Sequence, residues 1–221
     1  MSIQKSWGEL LKMAHACRIV IDTLDALEEA AVSGVSTREL DRIAREHIET
    51  AGARPAFLVD GFYGDAARTV AVGDVSDQAR RLMRATREAL FAGIEMCRPG
   101  KRVGDIGHAI QILAEGHGYS VVREFVGHGI GNSLHEEPQV PNYGPPGRRE
   151  RLVPGMCLAI EPMVNVGGPE VEVLADGWTA VTRDRSLSAH FELSVAITPF
   201  GPWILSDPYP YPEQEGESAH A

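Results

Sequence analysis

The stretch Arg123-Glu-Phe-Val-Gly-His-Gly-Ile-Gly-Asn-Ser-Leu-His-Glu-Glu-Pro138 contains two histidines, His128 and His135, seven residues apart. His128 stands among glycines, which let the backbone pass close to whatever the imidazole binds. Two carboxylates follow in apolar, strand-like surroundings, Glu161 and Glu192. A carboxylate buried in such surroundings is costly unless it is paired or coordinates a metal. One histidine with several acidic residues is the ligand set of a hydrolytic divalent-metal site, and that is the working hypothesis.

Composition sets the broad class of the protein. A chain of 221 residues with 43% hydrophobic content can bury the core of one domain. No apolar run approaches ~18 residues and no basic-then-apolar signal opens the chain, so we expect a soluble cytoplasmic protein without a membrane partner. The three cysteines lie far apart with no CxxC, which indicates neither a disulfide framework nor a thiolate zinc site. The net charge of −10 argues against nucleic acid.

The order of periodic segments predicts an α+β domain over residues 1–205. Two amphipathic helices, the second opened by a capping box of Ser36 and Glu39, precede a hairpin with its turn at Asp60-Gly61. A short strand is predicted over Arg68–Val72, and two more helices follow, the first capped by Ser76. The later strands are predicted at Val121–Phe125, Met156–Ile160, Val171–Leu174, Trp178–Thr182 and Ala189–Thr198.

This order of helix, helix and strands occurs twice. It suggests a duplicated unit, with repeats at about 6–74 and 75–205 and the ligands between the two halves. Residues 206–221 are acidic and rich in proline, which is typical of a disordered tail.

Six motifs in the second half carry a family resemblance. They are Gly127-His-Gly-Ile-Gly, His135-Glu-Glu-Pro, Pro154-Gly-Met, Ile160-Glu-Pro-Met-Val, Asp176-Gly-Trp-Thr and Asp184-Arg-Ser-Leu-Ser-Ala-His-Phe-Glu192. In this order they resemble the bacterial, type I methionine aminopeptidases. The hairpin Asp60-Gly-Phe-Tyr-Gly-Asp65 fits as well, and the likeness covers nearly the whole chain to Leu205.

The resemblance implies the two-fold pseudo-symmetric pita-bread fold and metal-dependent removal of N-terminal methionine from nascent proteins or peptides. It implies a site for two divalent ions, with Mn, Co, Fe or Zn as candidates. The matching ligands are Asp65, the bridging carboxylate, with His128, Glu161 and Glu192. His135 matches the histidine that touches the scissile peptide.

One segment of the family pattern is missing from the N-terminal half. Members carry strands and a His-Gly-Ile-Pro motif between the Phe57 region and the hairpin, whereas here Phe57 runs directly into Leu58. The resemblance implies that this removes the first metal Asp, a second substrate-contacting histidine and part of the methionine pocket. Counting back along the hairpin, the place of the lost ligand falls at Arg54. The histidine that usually follows the last Glu is replaced by Leu193.

The retained residues predict one ion where the family has two. Asp65, His128, Glu161 and Glu192 can hold it and leave a position for water. Glu161 is then the proton shuttle and His135 steadies the tetrahedral intermediate. Because amine capture and methionine selectivity rely on the missing segment, we expect weak exopeptidase activity.

Three functions compete on these grounds. The first is a weakly active one-metal aminopeptidase, and the second is a non-catalytic descendant that binds a peptide or protein partner. A proline-directed peptidase is disfavoured because the C-terminal motifs look type I. Four retained ligands favour the enzyme, since a binding module has no need of them. Loss of the segment also exposes a sheet edge, through which we expect self-association.

Overall fold

The computed structural model describes residues 4–55 and 58–207, so Phe57 and most of the predicted tail lie outside it. Four helices carry the apolar stripes that the sequence predicts, because each buries one face. They are α1 (Trp7–Ala30), α2 (Thr37–Thr50), α3 (Asp77–Glu95) and α4 (Val103–Gly116). No helix in the described ranges is long and apolar enough to cross a bilayer.

The helix N-termini follow the sequence signals with one correction. The Ser36 side chain accepts from the Glu39 N–H, and Ser76 caps α3 in the same way. The reciprocal half of the predicted capping box is wrong, because the Glu39 carboxylate pairs with Arg42 instead. A complete box opens α1, between Ser6 and Glu9.

The strands in the described ranges are short and form four sheets. They are β1 (Leu58–Val59), β2 (Phe62–Tyr63), β3 (Ala66–Ala67), β4 (Ser120–Val121), β5 (Gly127–Gly129), β6 (Glu136–Val140), β7 (Cys157–Ile160), β8 (Met163–Asn165), β9 (Val171–Val173), β10 (Ala180–Thr182), β11 (Ser188–His190), β12 (Glu192–Thr198) and β13 (Gly201–Ile204). The largest sheet has six strands, five of which follow the order β13-β12-β7-β5-β6. The strand β3 pairs with the start of β12 on the edge that β13 also uses.

The core lies on both faces of this sheet. Side chains of α3 and α4 share one buried cluster with Leu158 and Val195, whereas α1 shares another with Cys157 and Ala196. Because successive residues of a strand point to opposite faces, α1 packs on one side of β7 and β12 while α3 and α4 pack on the other. The helix α2 packs on α1 through Ile48.

The predicted strand over Arg68–Val72 is wrong, since β3 ends at Ala67. Side chains hold the segment that follows. The Arg68 guanidinium bonds Asp25 and Glu28 at 2.8 Å each, and the Thr69 hydroxyl bonds the backbone of His190.

Other strand predictions also need adjustment. The strand predicted over Val121–Phe125 is only Ser120–Val121, and the one predicted over Ala189–Thr198 is split at Phe191 into β11 and β12. The stretch from Arg123 to Pro138 contains β5 and the start of β6, two strands that the sequence did not predict.

The strand β5 has glycines because its neighbours lie so close. A Cβ placed on Gly127 would lie 2.3 Å from the Ala159 carbonyl oxygen, and one on Gly129 would lie 2.2 Å from that of Glu137. Sequence propensity argues against a strand at Gly-His-Gly. The close approach of the flanking backbones overrides it.

The edge of β3 that faces away from β12 has no strand partner among the described residues. A groove of about 910 Å³ lies beside it, between α1 and α3. Its apolar lining includes Ile21, Leu24, Met83 and Phe91. The duplicated unit and self-association through this edge stay predictions.

We expect Gly127→Ala to lower the free energy of unfolding by about 1–3 kcal/mol, because the new methyl group meets backbone that can move only with the sheet. Gly116→Ala is the matched control at the end of α4, since no heavy atom lies within 4 Å of the Cβ that this substitution would add. Urea unfolding of both variants measures the difference. Equal stabilities would contradict the close-packing explanation for β5.

Candidate metal centre

The six-stranded sheet places the four predicted ligands on neighbouring strands. His128 lies in β5, Glu161 directly follows β7, Glu192 begins β12, and Asp65 directly precedes β3. The register pairs His128 with Ala159 and Ile160 with Leu193, so Glu161 and Glu192 come side by side at one end of the sheet.

The ligand atoms of these residues converge. Those of Asp65, His128 and Glu192 all lie within 4.8 Å of one another. The His128 Nε2 atom is 3.8 Å from Asp65 Oδ2 and 3.5 Å from Glu161 Oε1. Two ligands that each lie ~2.0–2.2 Å from one ion are at most about 4.4 Å apart, and both His128 distances fall within that limit.

A backbone contact orients His128 for a metal. Its Nδ1 lies 2.9 Å from the Gly129 carbonyl oxygen. Because a carbonyl only accepts, Nδ1 carries the proton and donates it, which leaves the lone pair of Nε2 directed at the carboxylates. Metal-binding histidines are commonly fixed in this way through the other ring nitrogen.

Two buried polar residues position the carboxylates. The Ser194 hydroxyl donates to the Asp65 carbonyl oxygen at 2.7 Å and accepts from the Asp65 N–H at 3.3 Å. Asn142 donates to the carbonyl oxygen of Glu161 at 3.0 Å. Sequence reasoning missed Ser194 and Asn142. Ser194 could have been found, because it lies two residues after Glu192 on the same face of β12.

Burial makes the carboxylates costly in the ionised form. Glu192 is 6% exposed, and its Oε1 has no hydrogen-bond partner within the described ranges. Burial, with the nearby charges of Asp65 and Glu161, raises the pKa of Glu192 well above its ordinary value. Burial also raises the pKa of Asp65. A divalent cation would offset these costs, and the unpartnered oxygen with the oriented imidazole fits one.

The other predicted site residues lie around this centre. The ring of His135 meets that of His128 edge-on, with centroids 4.2 Å apart, and His135 is exposed to solvent. Arg54 is exposed, and its backbone forms an isolated bridge with Leu58. Leu193 pairs with Ile160 in the sheet.

One histidine at the centre was not predicted. The His190 Nε2 atom lies 3.6 Å from Glu161 Oε2. His190, Glu161 and Glu192 form a second set of ligand atoms within 4.8 Å of one another. The signal for His190 was its position two residues before Glu192, inside a motif already singled out.

The profile of metallopeptidase family M24 matches residues 55–199. Methionine aminopeptidase from Clostridium perfringens is 43% identical over 93% of this chain and 99% of its own length. The chain therefore belongs to metallopeptidase family M24, and within it to the methionine aminopeptidases of bacterial type. Membership implies the use of a divalent metal.

Solved structures confirm the predicted pita-bread fold. The crystal structure of methionine aminopeptidase from Thermotoga maritima has a TM-score of 0.89 and 37% identity, over 91% of this chain and 98% of that one. Prolidase from Pyrococcus furiosus has a TM-score of 0.74 at 20% identity, over 94% of this chain and 66% of that one. The second likeness shows the fold alone.

Without metal, we expect Glu192→Gln to be more stable than the unchanged protein at neutral pH. A carboxyl whose pKa is raised in the folded state stabilises the fold fully below its ordinary value of 4.5, and loses that contribution as the pH rises through the folded value. The advantage of the neutral amide should therefore be absent near pH ~4 and grow toward neutrality.

Urea unfolding in a chelator across this pH range measures the effect, with the exposed Glu49→Gln on α2 as control. Addition of Mn²⁺ should reverse the order, because the metal stabilises only the unchanged protein. If metal-free Glu192→Gln is less stable than the metal-free unchanged protein at neutral pH, the electrostatic argument is wrong.

Proposed function

We propose that this protein removes N-terminal methionine from peptides or nascent chains in a metal-dependent reaction. The observation that carries the proposal is the convergence of Asp65, His128, Glu161 and Glu192 in a chain of this family. Nascent chains are met in the cytoplasm, which is the location we propose.

We propose that one tightly bound ion lies among these four residues and leaves a position for water. When bound, the ion would lower the pKa of a water molecule at the centre and polarise the peptide carbonyl. Oxygen and imidazole ligands suit Mn, Co, Fe and Zn alike, so the donor set does not choose among them.

The residues of the chain divide the remaining work. The carboxylate of Glu161 is held at the centre and accepts a proton from the attacking water, which it passes to the departing amine. His135 is exposed beside His128, where a substrate carbonyl can reach it, and its imidazole donates to the oxygen that becomes negative. His128 and Asp65 would hold the ion in place.

We also propose that the N-terminal half lacks a segment that its relatives have. The alignment with the Clostridium perfringens protein runs over 246 positions yet uses 93% of the 221 residues, which leaves about 40 positions without a counterpart here. The groove beside β3 supports this interpretation, because it borders Glu192 and its apolar lining has no described strand over it.

The missing segment would weaken and broaden the activity. Without the lost Asp, the position that Arg54 occupies provides no carboxylate ligand. The missing segment would also complete the methionine pocket, and the groove lies open on that side of the centre. The same uncovered edge favours self-association.

A non-catalytic descendant is the second candidate. The observation in its favour is the gap in the alignment, because an open site can bind a peptide without turning it over. The retained convergence of four ligand side chains favours the enzyme, since buried carboxylates lower stability and a binding module gains nothing from them.

Titration of the metal-stripped protein with Mn²⁺ should show one tightly bound ion per chain. His128→Ala should abolish this binding because it removes the imidazole ligand, whereas His135→Ala should leave it nearly unchanged. Isothermal calorimetry measures both variants. Two equivalent tight sites would contradict the proposed effect of the missing segment.

A Met-Ala-Ser peptide should be cleaved after methionine about 10²-fold or more slowly than by the Clostridium perfringens relative, because a substrate-orienting group is missing. Preference for methionine as first residue should be relaxed. Grafting the missing segment from that relative should raise the rate and the selectivity together, as measured by chromatography of the released amino acid.

Two results would contradict this account. Turnover as fast and as selective as that of the relative would show that the gap has no functional effect. An inert grafted chain with its metal bound would favour the non-catalytic function.

A further inference from the structure

We propose that His190, with Glu161 and Glu192, forms a second and weaker divalent-cation position next to the ion held by His128. The proposal rests on the metal centre of the proposed function and extends it to a residue that has no part in the predicted ligand set. It makes His190 a ligand in place of the carboxylate that the missing segment would supply.

The geometry of Glu161 indicates two positions. Its Oε1 lies 3.5 Å from His128 Nε2, and its Oε2 lies 3.6 Å from His190 Nε2. One carboxylate thus presents a separate oxygen to each imidazole. Carboxylates shared in this way hold pairs of ions ~3.5–4 Å apart in two-metal hydrolases.

Two atoms at this position have no partner. The Nε2 of His190 and the Oε1 of Glu192 are both buried, and neither has a hydrogen-bond partner among residues 4–55 and 58–207. Buried polar atoms are normally satisfied, and each exception calls for a reason. A cation that contacts both atoms supplies that reason.

The backbone holds His190 rigidly in place. The Thr69 hydroxyl donates to the His190 carbonyl oxygen and accepts from the His190 N–H, both at 2.9 Å. On its other side His190 pairs with Met163 of β8. A ligand fixed before the metal arrives loses little entropy on binding.

The charge at the centre also favours a second ion. In their ionised forms, Asp65, Glu161 and Glu192 would together carry more negative charge than one divalent ion neutralises. No Lys or Arg in the described part of the chain pairs with any of them. The second ion has one ligand of its own, His190, and two shared carboxylates, so its affinity is the lower of the two.

The test is a titration of metal-stripped protein with Mn²⁺, followed by calorimetry and by electron paramagnetic resonance. The unchanged protein should bind one ion tightly and a second weakly. At saturation the spectrum should be broadened by coupling between the ions. His190→Gln keeps a polar side chain but provides no imidazole. It should keep the tight step, lose the weak one and give the narrow six-line signal of isolated Mn²⁺.

Two further variants complete the design. His190→Asp supplies a carboxylate and should retain the second ion. His117→Gln changes an exposed histidine that faces Glu88 away from the centre, so it should match the unchanged protein. Thermal melting in chelator shows whether each variant is folded, and His190→Asp provides the test should His190→Gln not fold.

The proposal is overturned if His190→Gln titrates like the unchanged protein, since His190 then is not a metal ligand. It is also overturned if the unchanged protein binds one ion with an uncoupled spectrum. Either result leaves the proposed function intact, because that depends on the tight step and its loss in His128→Ala. Loss of peptide cleavage with both ions bound would instead count against the proposed function alone.

Discussion

The electrostatic cost of three carboxylates gathered at one end of a sheet is the constraint on which the rest of the structure depends. Asp65, Glu161 and Glu192 repel one another, and burial raises the pKa of Asp65 and Glu192. Ionised carboxylates buried in this way are normally paired or bound to a metal ion, and a cation would compensate all three. The surrounding structure keeps them in place despite the repulsion. Ser194 fixes the backbone of Asp65, Asn142 fixes that of Glu161, and the glycines of β5 bring His128 close to β7.

The sequence was sufficient for the residues that lie inside motifs. His128, Glu161 and Glu192 stand out because a histidine among glycines and acidic residues in apolar runs are unusual, and Asp65 was recovered through the resemblance. The helices were predicted for a different reason, since their apolar periodicity and serine caps are local signals.

The structural features that the sequence did not predict depend on contacts between distant segments. The strand at Gly127–Gly129 forms against propensity because two backbones press on it, and the segment after Ala67 is held by side-chain bonds to α1 and β11. His190 was part of a quoted motif, yet its role could be assigned only when Glu161 was found beside it. In each case at least one deciding partner lies tens of residues away in the chain.

The segment that we propose is missing from the N-terminal half would take little of the metal centre with it. His128, Glu161 and Glu192 all come from the second half of the chain, and Asp65 is the one ligand from the first half. Asp65 reaches the centre through β3, whose two residues pair with the start of β12. The residues that we propose activate water thus come from the second half and from one short strand. Recognition of the substrate side chain would depend on the uncovered groove beside that strand. In the proposed function, water activation and substrate selection thus rest on different parts of the fold, so loss of one need not abolish the other.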